Sequence, residues 1–420
     1  MRDDRIAAIG KMDEPASRNA HIDRKIDARD WVILPGFVQT HVHLCQTLFR
    51  NQAEDMELLE WLQKRIWPFE AAHDEKSMRV SARLGIAELL AGGTTTILDM
   101  GSVHHYGAVF DELEKSGMRA VGGKCMMDNG DSFPTGLRET TQDSLRTSRD
   151  LMERWHGAAN GRLRYAYAPR FALSCSEKLL REVAEISATK GCMMHTHASE
   201  NVGETQLVMQ RTGKRNVEYL SSLGISGQRT CLAHCIQIDE KEISMMASEH
   251  TRVAHCPGSN LKLASGIAPV VKMRQAGVVV GLGADGAPCN NNLDMLNEMR
   301  LAALLQKISA GVGALSAQAV VEMATIDGAR CLGWDDEIGS IEVGKKADVT
   351  AINLSDLHSL PASDIYTQAV YASRASDIAM TMVDGKTLFE KGGVKTIDVG
   401  ALRHEVQQEF VRVVERAGIP

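Results

Sequence analysis

No C-x-x-C pair occurs among the nine cysteines of this 420-residue chain. Neither a zinc ribbon nor a thioredoxin-type redox pair is therefore indicated. The cysteines are scattered and odd in number, which suits reduced thiols used as small apolar core residues. No apolar run reaches about 18 residues, so no membrane span is expected. The opening MRDDRIAAIG is charged rather than a signal sequence, and a cytoplasmic location is expected. Long blocks of one charge sign are also missing. With a net charge of −7 mixed along the chain, neither a nucleic-acid footprint nor a polybasic membrane anchor is expected. Tandem repeats at a fixed period and low-complexity tracts are absent too. What remains is ordinary globular composition, 44% apolar and 24% charged, long enough for one large barrel with an accessory domain.

Short runs rich in β-branched and small residues alternate with longer segments whose apolar residues recur three and four apart. The runs are 36–41, 94–99, 119–124, 163–168, 191–196, 229–233, 251–255 and 278–283. The helical segments between and after them are 76–91, 107–117, 140–155, 176–190, 215–223, 239–249, 269–276 and 291–308. Alternation of this kind implies parallel strands joined by right-handed crossovers. The glycine-rich phosphate turn of a doubly wound open sheet is missing. An α/β fold is expected, a (β/α)8 TIM-type barrel over residues 36–337. Residues 1–35 and 338–420 hold short β-type stretches with glycine and aspartate turns between the later ones. Neither segment makes a stable sheet alone, so they are expected to combine into one small composite β-sandwich domain. An amphipathic helix over about 399–417 closes the chain.

In such a barrel the carboxyl ends of all strands face one mouth, where chemistry occurs. His41 and His43 end the first run, and the two-residue repeat of a strand points both imidazoles to one side. The fifth run supplies His195, His197 and, three residues on, Glu200. The sixth ends at His234, the seventh at His255 and the eighth at Asp285. Imidazoles and a carboxylate meeting in one mouth suit Zn²⁺, Fe²⁺ or another first-row divalent ion. His195 lies one layer deeper than His197 and reads as a packed core residue. His255, in HCPGSN, either shapes a loop or touches substrate. Asp99 is expected to orient a neighbour, and His73, His104 and His105 to sit in loops or on the surface.

The pieces PGFVQTHVH, GGTTTILDM, HTHASE, LAHC, HCPGSNLKLASG, LGADGAPCNNNLDMLNEMRLAALLQK and GSIEVGKKADVTAINL run from residue 35 to about 354. In them the chain resembles the amidohydrolase superfamily, in its branch of nucleobase and nucleoside aminohydrolases. The likeness is to deaminases of 5′-modified adenosines, of the 5′-deoxyadenosine, methylthioadenosine and S-adenosylhomocysteine types. The resemblance implies one divalent ion per chain, zinc or else iron, held by His41, His43, His197 and Asp285. It implies Glu200 as proton shuttle, His234 as the residue orienting the attacking water, and Asp285 as ligand and second base. The carboxylated lysine that bridges two metals in binuclear members has no counterpart at the end of the fourth run, LRYAYAPR; Lys124 closes the third.

The apolar excursion AEDMELLEWLQKRIWPFE is expected to cover the mouth; the resemblance implies Trp61 near the nucleoside, with a core aromatic as the alternative reading, and Glu70 on the ribose hydroxyls. Arg170 is a departure, since methylthioadenosine and S-adenosylhomocysteine deaminases typically carry histidine there; it moves the expectation toward the 5′-deoxyadenosine type. Arg138 and Arg146 stand in a variable stretch from which either can face a 5′ substituent. Relatives usually have one or two further strands before the segment resembling DDRIAAIG. Deamination of guanine or a pterin, or hydrolysis of a substituted s-triazine, is the alternative with the same metal; a metal-free scaffold is the alternative without one. The resemblance also implies a homo-oligomer acting on a small nucleoside or nucleobase-like molecule.

Overall fold

The computed structural model describes residues 1–11, 22–130, 132–361 and 363–419. Eight parallel strands close a barrel: β1 (Phe37–Val42), β2 (Thr94–Met100), β3 (Arg119–Gly123), β4 (Leu163–Pro169), β5 (Met193–Ala198), β6 (Thr230–His234), β7 (Arg252–His255) and β8 (Val280–Leu282). Neighbours in sequence pair in space, and β3 pairs directly with β4 to complete the ring. The β1–β8 seam is the shortest, with Leu282 opposite Gln39 and an isolated bridge between Val42 and Asp285. Two features hold it. Gln39, fully buried, donates to Leu293 O (2.8 Å) and accepts from the Ala284 backbone (2.9 Å). Gly283 lies so close that a Cβ there would meet the backbone of His41 at 2.6 Å. Only glycine lets the strand carrying Asp285 lie against the strand carrying His41.

The expected helices form, from Glu75–Ala91 through Met295–Ala310, and Asp74 starts the first with a capping box on Ser77. Among the described residues, the helices Val202–Thr212, Pro257–Lys262, Ala317–Ala324 and Ile326–Leu332 lie outside the segments that spacing predicts. Val202–Thr212 buries only Glu204, Thr205 and Val208, too few apolar positions for a stripe. Its Asn201 cap, accepting from Gly203 N, was the available signal. The excursion after β1 is a continuous helical cover from Leu58 to Ala71, with a π-helical stretch Leu62–Ile66 in its middle.

The small β domain is composite. Trp31–Pro35 pairs antiparallel with Val349–Asn353, and Ile378–Val383, Lys386–Glu390 and Gly393–Val394 extend that sheet. Arg2, Arg5 and Lys346 make isolated bridges beside it. The final helix, Val399–Ala417, packs on Glu75–Ala91 and buries Leu402 and Val413.

A buried ion pair joins the two parts. Arg119, at the start of β3, meets Asp348 through Nε (2.7 Å) and Nη2 (3.2 Å), with Asp384 beside it. Breaking a buried pair leaves an uncompensated charge at a cost of about 3–5 kcal/mol. Arg119→Met should therefore lower unfolding stability by roughly that amount in a denaturant titration, with kcat and metal content unchanged. Wild-type stability would show the pair to be dispensable.

Candidate active site

The carboxyl ends of β1, β5, β6 and β8 bring His41, His43, His197, His234 and Asp285 together. His41, His43 and Asp285 offer ligand atoms within 4.8 Å of one another, and so do His41, His197 and His234. Asp285 Oδ1 stands 3.3 Å from Nε2 of both His41 and His43. Asp285 adopts the left-handed conformation (φ +64°), which turns its carboxylate back over the barrel mouth; His234 does likewise (φ +75°).

The tautomers follow from the outer hydrogen bonds. His43 Nδ1 lies 2.7 Å from Met100 O, and His197 Nδ1 lies 2.7 Å from Arg170 O. A carbonyl can only accept, so both Nδ1 atoms carry the proton and both Nε2 atoms present lone pairs. His195 repeats this one layer down: its Nδ1 donates to Cys231 O (2.9 Å), leaving Nε2 to accept from His41 Nδ1 (2.7 Å). His41 therefore also turns a bare Nε2 into the mouth, where it has no hydrogen-bond partner. His43 and His197 bring their Nε2 atoms within 3.3 Å. Two lone pairs facing each other in a buried site repel unless a cation lies between them. Burial holds His43 down to about 3 and His197 and His41 below the usual imidazole range, so the site is not relieved by protonation. This donor set, oriented from outside by carbonyls, fits a divalent metal.

His195 is thus the outer partner of His41, consistent with its place as a packed residue. Asp99 accepts from the Leu44 backbone (2.7 Å) and from the Tyr106 hydroxyl (2.8 Å), and so shapes the turn leaving His43. Lys124 is buried at the end of β3 and gives its ammonium to Glu139, 2.8 Å from each oxygen. His255 is buried at the end of β7 and does not line the cavity described next.

Beside the histidines opens a small cavity, lined among others by Trp61, Gln46, Arg170, Glu200, His234 and Asp285. Glu200 Oε2 is 3.5 Å from His234 Nε2, and His234 Nδ1 donates to Asn260 Oδ1 (2.9 Å). Burial, reinforced by the charges of Asp285 and Glu204, pushes the Glu200 carboxyl well above the usual carboxylate range. Trp61 lines the cavity, and its indole N–H is buried without a partner. Glu70 does not line it. Its carboxylate is taken by Arg170 (2.6 Å and 3.3 Å) and by Gln46 Nε2 (2.9 Å), and Arg170 and Gln46 form the wall there. Arg138 lines a neighbouring cavity that shares Phe171, whereas Arg146 is exposed and pairs with Asp143.

The Amidohydrolase family model matches residues 32–388. The chain belongs to the amidohydrolase family. A 5-methylthioadenosine/S-adenosylhomocysteine deaminase of Moorella thermoacetica is 38% identical over 98% of this chain and 94% of its own length. A 5′-deoxyadenosine deaminase of Methanothermobacter thermautotrophicus is also 38% identical, over 95% of this chain and 90% of its own. Among solved structures, an adenosine deaminase from Xanthomonas campestris with bound zinc superposes with a TM-score of 0.87 at 32% identity, covering 92% of this chain and 87% of its own.

Within this amidohydrolase, three cavity or support residues escaped the sequence reading: Gln46, Glu204 and Asn260. Gln46 follows His43 by three residues inside an apolar turn, and a polar residue in such a run was its one mark. Glu204 lies in a helix that spacing does not predict, and nothing in the order of residues marks it as buried. Nothing in the order of residues connects Asn260 with His234.

Proposed function

We propose that this amidohydrolase is a hydrolytic deaminase of a 5′-modified adenosine, of the 5′-deoxyadenosine, methylthioadenosine or S-adenosylhomocysteine type, releasing the inosine analogue and ammonia. The converging Nε2 atoms of His41, His43 and His197 with Asp285, beside the buried Glu200, carry this reading. Those four residues would hold one divalent ion per chain, zinc or else iron. Bound there, the ion supplies Lewis acidity that lowers the pKa of water from about 15.7 to near 7.

The chain's own groups do the rest. His234 hydrogen-bonds the attacking water from the side facing Glu200. Glu200, whose burial makes its carboxyl hold a proton firmly, takes one from the water and hands it to the ring nitrogen beside C6. Asp285 Oδ2, on the His234 side, accepts the remaining hydroxyl proton and returns it to the C6 amine as the C6–N bond breaks, so that a carbonyl forms at C6 and the amine leaves as ammonia. Trp61 closes over the substrate, and Arg170 offers its donors to an acceptor on it. The distribution of charge supports a small substrate and no nucleic-acid partner. No helix among the described residues is long and apolar enough to cross a membrane. A cytoplasmic homo-oligomer is the proposed working form, which light scattering would measure.

The Glu70–Arg170 pair favours a second reading. With Glu70 held by Arg170 and Gln46, the cavity wall there is a guanidinium and an amide, side chains that also fit a guanine or pterin ring. Ammonia release from adenosine, 5′-deoxyadenosine, methylthioadenosine, S-adenosylhomocysteine, guanine and an aminotriazine separates the two. Highest kcat/KM on a 5′-modified adenosine is expected; preference for a free base would replace the first reading by the second.

Glu70→Gln should raise KM for nucleosides more than it lowers kcat, if the wall it holds binds ground and transition states equally. The expected loss is about 1–3 kcal/mol, roughly 5- to 150-fold in KM. An unaltered KM across adenosine and its deoxy analogues would take Glu70 out of substrate binding.

A further inference from the structure

The loop HASEN between β5 and the helix Val202–Thr212 carries the proton shuttle, and something must hold it. Ser199 is left-handed (φ +53°), and its carbonyl accepts from Ile236 N (2.9 Å) and Gln237 N (2.8 Å) on the loop after β6. That kink turns the next residue, Glu200, into the cavity. Glu204 is the third residue of the helix, where an acid usually reaches back to the N–H of the cap, here Asn201. Its Oε2 reaches one residue farther and accepts from the backbone N–H of Glu200 itself, at 2.8 Å. Its Oε1 accepts from Asn216 Nδ2 at 2.5 Å, which ties the loop to the next helix, Asn216–Ser222. Glu204 is buried and lines the cavity, although no step of the reaction uses it.

A buried carboxylate needs partners, and this one has found them in the backbone of the shuttle and in a fixed amide. We infer that Glu204 is a positioning residue for deamination. By gripping the Glu200 N–H it fixes the direction from which the Glu200 carboxyl approaches His234 and the substrate ring. The inference rests on the reading of Glu200 as proton shuttle. Removing the grip leaves a buried N–H unpaired and lets the loop relax, and a misplacement of about 1 Å can cost about 10²-fold in rate.

The test compares five variants of the metal-loaded enzyme on its preferred adenosine analogue. Glu204→Ala should lower kcat about 10- to 100-fold, with metal content normal and KM within about threefold of wild type. Glu204→Gln should stay within a few fold of wild type. Its amide oxygen can take the Glu200 N–H, and its NH₂ can donate to the Asn216 Oδ1, now unpartnered, once that amide turns over. Glu204→Asp keeps the charge but is a methylene too short, so it should behave like Glu204→Ala; it carries the test if the alanine variant does not fold. In a Glu200→Gln background, Glu204→Ala should add no more than a few fold, because a residue acting only through Glu200 has nothing left to position.

Equal losses in Glu204→Gln and Glu204→Ala would overturn the inference by making the charge itself the active element. Full additivity in the Glu200→Gln background would overturn it by making Glu204 act elsewhere, and wild-type kcat in Glu204→Ala would end it outright. Near-normal activity of Glu200→Gln alone would instead remove the shuttle assignment, a result readable without any Glu204 variant.

Discussion

Glu200→Gln should lower kcat on adenine-type substrates by about 10²- to 10⁴-fold, the usual contribution of a positioned acid–base group. The substitution keeps size and hydrogen-bonding shape but cannot carry a proton. In the structure the carboxyl stands 3.5 Å from His234 Nε2, and Glu200 is not among the four proposed ligands, so metal content should stay normal. Burial raises its proton affinity, which suits it to take the proton from the attacking water. Atomic absorption and single-turnover kinetics on the same preparation check both halves. Loss of metal together with activity would make Glu200 structural. Activity within a few fold of wild type would leave Asp285 and His234 to move both protons.

His43→Ala should remove most of the metal and with it nearly all activity, whereas the wild-type protein should carry about one divalent ion per chain. The reason lies in the pairing of Nδ1 with Met100 O and of Nε2 with the site. Alanine deletes one of the four proposed ligands, the one whose Nε2 faces both His197 and Asp285. Metal analysis by mass spectrometry decides the count, and purification can exchange zinc, iron and manganese, so the count is the sharper readout. Two bridged ions at full occupancy would sink the mononuclear reading. The structure bears on this through Lys124, buried in an ion pair with Glu139 rather than turned toward the imidazoles.

The strand ends were legible because strand geometry is local. A period of two puts His41 and His43 on one side, and alternation of strands and helices implies a barrel whose carboxyl ends share a mouth. From that alone, His197, His234 and Asp285 converge with them, and the order of residues sufficed to find them. The helix Val202–Thr212 was not legible, because its buried face is short and partly polar.

What only the tertiary structure decided is the second layer of contacts. Which imidazole nitrogen stays bare depends on carbonyls of Met100, Arg170 and Cys231, on three other strands or their ends. That Glu70 meets Arg170 and Gln46 depends on two chain segments 100 residues apart folding to 2.6 Å. That Glu204 grips the backbone of Glu200 depends on one left-handed residue, Ser199, whose conformation is set by hydrogen bonds from the loop after β6. Ligand types and their side of a strand follow from residue identity and a two-residue repeat. Tautomer, counterion and loop direction are set by partners distant in sequence, and only the closed barrel brings those partners within hydrogen-bonding distance.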